Sequence, residues 1–239
     1  MLIFCRDRAR TAHSIHSAFG ERARCFPAGR TGKKNWLAAI GCIFGPEVLF
    51  RTGFGSLLAI GAQGGYYAIT SRLPTFLQNE RHLTVLSSGG YLAVIICGSF
   101  AGYTVSAYLS DLIGRRMNFI IYALGSIVIV VSYTQLHISD SLMLVLGFPL
   151  GFFASGIFSG MGAFYTELFP TPIRASAQGF CCNAGRGIAA VFPWLVGLLS
   201  ASLPLGQAIG IYACIAYLAV VVAALILPET KGRDLTTVQ

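Results

Sequence analysis

MNFIIYALGSIVIVVSYTQLHIS, residues Met117–Ser139, runs 23 residues without Asp, Glu, Lys or Arg, between Arg115-Arg116 on one side and Asp140 on the other. A helix rises about 1.5 Å per residue, so a segment of this length exceeds the roughly 30 Å hydrocarbon core of a bilayer. In lipid the backbone must satisfy its own hydrogen bonds, which makes helix the default. The apolar residues do not alternate with polar ones as a barrel strand would require.

Five more stretches repeat the pattern: Thr52–Ser71, extended by Leu73–Leu77 beyond Arg72, then Leu83–Ser110, Ser141–Thr166, Ala175–Ala201, and Gln207–Leu227. Ala175–Ala201 is interrupted only by Arg186, and the break Leu203-Pro204-Leu205-Gly206 separates it from the last. The expected fold is all-α, a polytopic membrane bundle of six transmembrane helices over residues 52–228. Residues 1–51 are expected to form a basic cytoplasmic segment, disordered or lying along the interface through Trp36–Phe44. Residues 229–239 form a cytoplasmic tail.

Composition agrees. Of 239 residues 55% are hydrophobic and 11% charged, against roughly 25% charged in a soluble domain. The net charge of +8 does not mark a nucleic-acid binder. Nine of the seventeen Lys and Arg residues fall in positions 1–51, and most others sit at the ends of apolar runs, as in the positive-inside rule. With the first 51 residues inside, the cytoplasmic segments hold fourteen Lys or Arg, and the outer side holds Arg81 plus Arg72 at the end of its span. The chain is therefore expected to be a multi-pass protein of the plasma (inner) membrane with both termini cytoplasmic. Met1–His13 lacks the order of a secretory signal, so the spans themselves are expected to direct insertion.

Seven cysteines with no CxxC pair and no His at ligand spacing predict neither a disulfide framework nor a metal site. No cofactor is implied. The spans carry no HExxH, no GxSxG and no acid pair, which argues against an intramembrane enzyme. Small residues recur at four-residue spacing, Gly98, Gly102, Ser106 and Ser110 in one span and Gly147, Gly151, Ser155 and Ser159 in another, with Gly156 and Gly160 beside them. Such stripes let helices approach closely in lipid.

Arg186 lies eleven residues into its run, roughly 16 Å deep. An Arg there costs at least about 2.5–3.5 kcal/mol to insert, so such a charge faces a cavity or a partner. Asn183 and Gln178 extend a polar arc around the same helix. The first span adds Gln63, Tyr66, Tyr67 and Thr70, at a spacing that puts Gln63, Tyr66 or Tyr67, and Thr70 on one side. Together Arg186, Asn183, Gln178, Gln63, Tyr66, Tyr67 and Thr70 are candidate substrate-binding residues, since a guanidinium grips a carboxylate with two hydrogen bonds. The alternatives are a structural Arg186 capping carbonyls near a Gly185–Gly187 kink or paired to an acid elsewhere, and interhelical bonding by the first-span residues. No acidic residue lies deep in a span, and His82 and His137 fall in outer loops. If protons cross here, the carboxylate that binds them is expected in an absent partner half.

Three further stretches carry a resemblance. Ala107-Tyr-Leu-Ser-Asp111-Leu-Ile-Gly114-Arg115-Arg116 is similar to the G-x-x-x-D-x-x-G-R-R loop of the major facilitator superfamily in its second-half copy, with Ala107 where Gly is usual. Glu167-Leu-Phe-Pro-Thr-Pro-Ile-Arg174 is similar to the turn between that family's helices 10 and 11, and Pro228-Glu229-Thr-Lys-Gly232-Arg233 to the sequence closing helix 12. The resemblance implies helices 7 to 12 of a twelve-helix secondary transporter, with the substrate site between two six-helix halves. It implies as partners the lipid bilayer, a small anionic solute, and a missing N-terminal half or a second copy; a truncated product is expected ahead of a dimerising half or a chain that joins a separately encoded partner. Gly61–Leu77 and Gly179–Pro193 look similar to proton symporters of organic acids, including sialate and aromatic acids. A sugar porter half and a non-transporting structural membrane subunit are the alternatives. Asp111, Gly114, Arg115, Arg116, Glu167, Arg174, Glu229 and Arg233 would then form a cytoplasmic gate whose ion pairs favour the outward-open state. Plain topology anchoring is the competing reading of the same charges.

Overall fold

The computed structural model describes residues 41–80, 85–136 and 139–231. The chain divides into two compact units, Met1–Leu49 and Phe50–Gln239. Of the first only residues 41–49 are described, so the expectation for Trp36–Phe44 and the basic stretch before it lies largely outside the described residues. Seven helices follow: α1 (Pro46–Asn79), α2 (Val85–Ile113), α3 (Arg115–Gln135), α4 (Asp140–Leu168), α5 (Arg174–Ala189), α6 (Phe192–Leu199) and α7 (Leu205–Ile226). The first starts at Pro46, six residues before Thr52, because a proline suits the first helical position, where its missing N–H has no partner to lose.

The fold is the all-α polytopic bundle expected, with five spans among the described residues long and apolar enough to cross a membrane: Gly89–Ile113, Arg115–Gln135, Asp140–Leu168, Arg174–Leu199 and Leu205–Ile226. Helix α1 has ample length at 34 residues but is not among the five. It carries Arg51, Gln63, Arg72 and five glycines between Gly53 and Gly65. The fifth span, Arg174–Leu199, is two helices, broken at Ala190–Val191. Pro193 is the cause: its ring crowds the carbonyl of Ala189 and it has no N–H to donate there. The kink thus falls after Gly187 rather than at it.

Close contact through small residues organises the bundle, as lipid offers little hydrophobic drive between helices. Gly98 and Gly102 of α2 lie on the Phe148 and Phe152 carbonyls of α4, where a Cβ would sit 2.1 Å from each oxygen. Gly151 returns the contact, with its Cβ direction 2.0 Å from the Ile95 oxygen. Ser155 donates a hydrogen bond to Ser99 across the same seam, 2.9 Å. Gly61 seats α1 on α7 at the Ala216 carbonyl, and Gly185 seats α5 on α1 at Ala59. The apolar side chains of Ile96, Phe100, Val145 and Leu218 are left exposed, as suits a surface solvated by acyl chains. At the end of the bundle where α1 finishes, Glu80 accepts the Gly206 N–H at 3.1 Å, supplying a partner for one of the unpaired donors at the start of α7.

Candidate functional site

Helices α1, α2, α4 and α5 enclose an open cavity of about 300 Å³. From α1 it takes Gln63, Tyr66 and Tyr67, and from α5 Cys182 and Arg186. Tyr103 of α2 and Phe158, Met161 and Gly162 of α4 complete the wall. Tyr66 meets Phe158 edge to face, with ring centroids 5.4 Å apart. Gln63 is buried and its Nε2 donates to the Cys182 carbonyl at 3.2 Å. That carbonyl can only accept, so the amide nitrogen must face it; Oε1 is left buried without a partner.

Arg186 stands twelve residues from Arg174 and thirteen from Leu199, the midpoint of its span. It is exposed and makes no hydrogen bond or ion pair among the described residues. It therefore caps no carbonyl near the kink. The cavity presents a cation in the middle of a membrane-length helix, flanked by aromatic faces and one amide. Such a surface suits a small, flat anion.

Four of the seven candidate residues thus meet at one site. Asn183 does not: it is exposed and its Nδ2 donates to Gly179 of its own helix, 2.8 Å. Thr70 likewise turns its hydroxyl to the Tyr66 carbonyl, 2.8 Å, and Gln178 is half-buried outside the cavity wall. Short polar side chains in helices commonly bond the preceding turn, which removes them from a shared face. Cys182, Phe158, Met161, Gly162 and Tyr103 were not singled out as site residues. For Cys182 the signal was available, since it lies at i−4 from Arg186 and so on the same helix face.

At the end of the bundle opposite Glu80, Arg115 joins two carboxylates. It pairs with Asp111 one turn back and with Glu167 of α4 at 3.2 Å. Glu229 works differently from the expected ion pair. Its two oxygens accept the backbone N–H groups of Arg115 and Arg116, at 3.0 and 3.1 Å, capping the N-terminus of α3 where a negative charge is favoured. Gly114 makes this possible, with φ 100° and a Cβ direction only 2.9 Å from a Glu229 oxygen. Thr230 is buried and donates to Glu167 at 2.6 Å, tying the segment just after α7 into the same cluster. Among the described residues Arg116 and Arg174 do not pair with carboxylates. Arg116 donates to the Leu225 carbonyl, 2.6 Å, and Arg174 to Phe169 and Thr171. The carbonyls of a helix's last turn lack intrahelical donors and draw these guanidinium groups. Arg233, His82 and His137 lie outside the described residues.

The two arms of the Arg115 bridge differ in exposure, the Asp111 side chain being 67% exposed and that of Glu167 13%. Asp111→Asn is expected to lower stability by no more than about 0.5 kcal/mol. Glu167→Gln, which leaves the shielded guanidinium less compensated, should cost about 2 kcal/mol. Thermal unfolding in micelles at low and high salt checks this, and equal effects would show that the Glu167 arm is as well screened as the other.

The sugar (and other) transporter family model matches residues 22–239. A protein named "Probable 4-methylmuconolactone transporter" in Cupriavidus pinatubonensis is 37% identical over 220 residues, covering 92% of this chain and 50% of that protein. One named "Putative metabolite transport protein" in Haemophilus influenzae is 32% identical over 225 residues, 94% of this chain and 52% of that one. The cis,cis-muconate transport protein of Acinetobacter baylyi is 28% identical over 175 residues, 71% of this chain and 41% of that one. The chain spans about half the length of the first two relatives. The three motifs, the five apolar spans and the match over nearly the whole sequence lead to one conclusion: this integral, multi-pass membrane protein belongs to the sugar (and other) transporter family of the major facilitator superfamily, a family of transporters and not of enzymes.

Proposed function

We propose that the chain forms one six-helix half of a proton-coupled symporter for a small organic anion such as a carboxylate. The observation that carries this reading is Arg186, an uncompensated cation at mid-span on the wall of an aromatic-lined cavity. Leaving a guanidinium there unpaired is costly, and a carboxylate would offset the cost with two charge-assisted hydrogen bonds. The relatives named for a muconolactone and for cis,cis-muconate support the substrate class. The exposed side of the cavity would be covered by a second half, either an N-terminal one or another copy of this chain. That half would also supply the proton-binding carboxylate, because the acids described in this unit all lie near helix ends. Both termini would face the cytoplasm of the plasma (inner) membrane, with the Arg115 cluster as the inner gate.

Uptake into proteoliposomes containing the twelve-helix assembly tests the proposal. An acid-outside gradient should drive accumulation of a labelled unsaturated or aromatic carboxylate about tenfold over equilibrium, since one pH unit carries about 1.4 kcal/mol per proton. A protonophore should abolish the accumulation, and the neutral amide of the same acid should not compete. Competition by the amide as strong as by the acid would remove the anion from the reading.

A further inference from the structure

Two helices that wall the cavity are each weakened toward the same end. In α1, Pro74 has no N–H for the Thr70 carbonyl and its ring crowds that group. The Thr70 hydroxyl bonds back to Tyr66, a contact that favours bending. In the fifth span, Pro193 separates α5 from α6 at Ala190–Val191. One side chain joins the two weak points. Arg72 of α1 donates from Nε and Nη2 to the Pro193 carbonyl, at 3.1 and 2.9 Å.

The surroundings are fitted to this contact. Gly197, one turn further along α6, leaves the room the guanidinium needs, because a Cβ there would lie 2.7 Å from Nη2. Nearer the cavity the Phe192 ring covers Gly64, whose Cβ direction ends 2.9 Å from it. Helix α6 is thus attached to α1 at two points, an apolar one and a charged one. The charged one sits against the first turn of α6, where the helix dipole disfavours a cation. Its hold rests on the two hydrogen bonds, which makes it a contact that can release.

We infer that Arg72 is a latch between α1 and α6. With both bonds made, α6 and the last two turns or so of α1, Leu73–Asn79, move as one body. With them broken, the two proline sites let these segments part and open the cavity toward the Glu80 end. Arg72 does not line the cavity; it is a positioning residue that acts through the α1–α6 contact, whatever the cargo.

Nitroxides on noncanonical residues at Gln78 and Leu198, both exposed, read this separation by pulsed EPR on the full chain in nanodiscs, leaving the native cysteines alone. Arg72→Met should raise the ratio of the long-distance to the short-distance population roughly tenfold, the weight of a charge-assisted hydrogen-bond pair. Arg72→Lys, which keeps the charge but not the two-donor fork, should fall between. Gly197→Ala keeps the guanidinium and displaces it, so it should shift the populations in the same direction, and it carries the test if Arg72→Met does not fold. A control pair at Ile96 and Val145, exposed on α2 and α4, should not change. An unaltered Gln78/Leu198 distribution in the variants that fold, or equal broadening at the control pair, would overturn the latch.

Discussion

An Arg186→Ala transporter should lose carboxylate uptake by about 100-fold, with no loss of thermal stability. The first part follows from what a bound carboxylate gains. Removing one partner of a desolvated, hydrogen-bonded charge pair costs about 2–5 kcal/mol, and each 1.4 kcal/mol is a factor of ten. The second part follows from the isolation of the guanidinium, which bonds to no described residue. Deleting an exposed charge that holds no neighbour in place leaves no group unpaired, so the empty protein should be unchanged or slightly more stable. Arg186→Lys should fall between, down about tenfold, because an ammonium holds the charge without the planar fork. Uptake and melting temperature measured together separate this from a structural Arg186, which would lower both. Full transport by the alanine variant would end the anion reading.

The largest effect on stability is expected at Gly151. A Cβ there would lie 2.0 Å from the Ile95 carbonyl oxygen, a backbone atom that cannot swing aside, so α2 and α4 must separate. Since that interface rests on close approach rather than on exclusion of water, Gly151→Val should cost more than about 3 kcal/mol, beyond the usual range for overpacking. Gly147, on the same stripe, meets only side-chain atoms, the nearest being Ile95 Cγ1 at 3.3 Å, and Gly147→Ala should cost less than about 1 kcal/mol. Gly53→Ala, with nothing within 4 Å, should be neutral or stabilise by about 0.5 kcal/mol through helix propensity. Denaturation of the three variants by SDS titration gives the order directly. A Gly151→Val protein as stable as the parent would mean that α2 and α4 are not in intimate contact.

Much of the molecule was legible as a string of residues. The solvent is the reason. A bilayer tolerates no unpaired backbone, so a run such as Met117–Ser139 has one conformation open to it, and its length sets how far it reaches. The glycine and serine stripes could be read as contact faces because that is how helices meet in lipid. The Asp111–Arg116 loop, the Glu167–Arg174 turn and Glu229 were placed together by pattern, and four of those side chains, Asp111, Arg115, Glu167 and Glu229, do share one cluster. The marginal apolarity of α1 is tied in part to its interest: Gln63, one of the polar residues that dilute it, lines the cavity beside Tyr66 and Tyr67.

Spacing alone did not decide which polar groups converge. Gln63 and Thr70 fall on one side of α1, yet Gln63 reaches across to Cys182 while Thr70 bonds its own helix. Asn183 sits one turn from Arg186 and turns away from the cavity. Glu229 was expected as an ion-pair partner and, among the described residues, caps α3, where the bare N–H groups of Arg115 and Arg116 lie 3.0 and 3.1 Å from its oxygens. Span, depth and motif order were determined by the sequence itself, since burial in lipid acts on each segment separately. Which faces look at one another, where the fifth span breaks, and which atoms Arg72, Arg115 and Arg186 find or lack were decided only by the tertiary structure, since hydrogen bonds act over about 3 Å and the helix packing alone sets those distances.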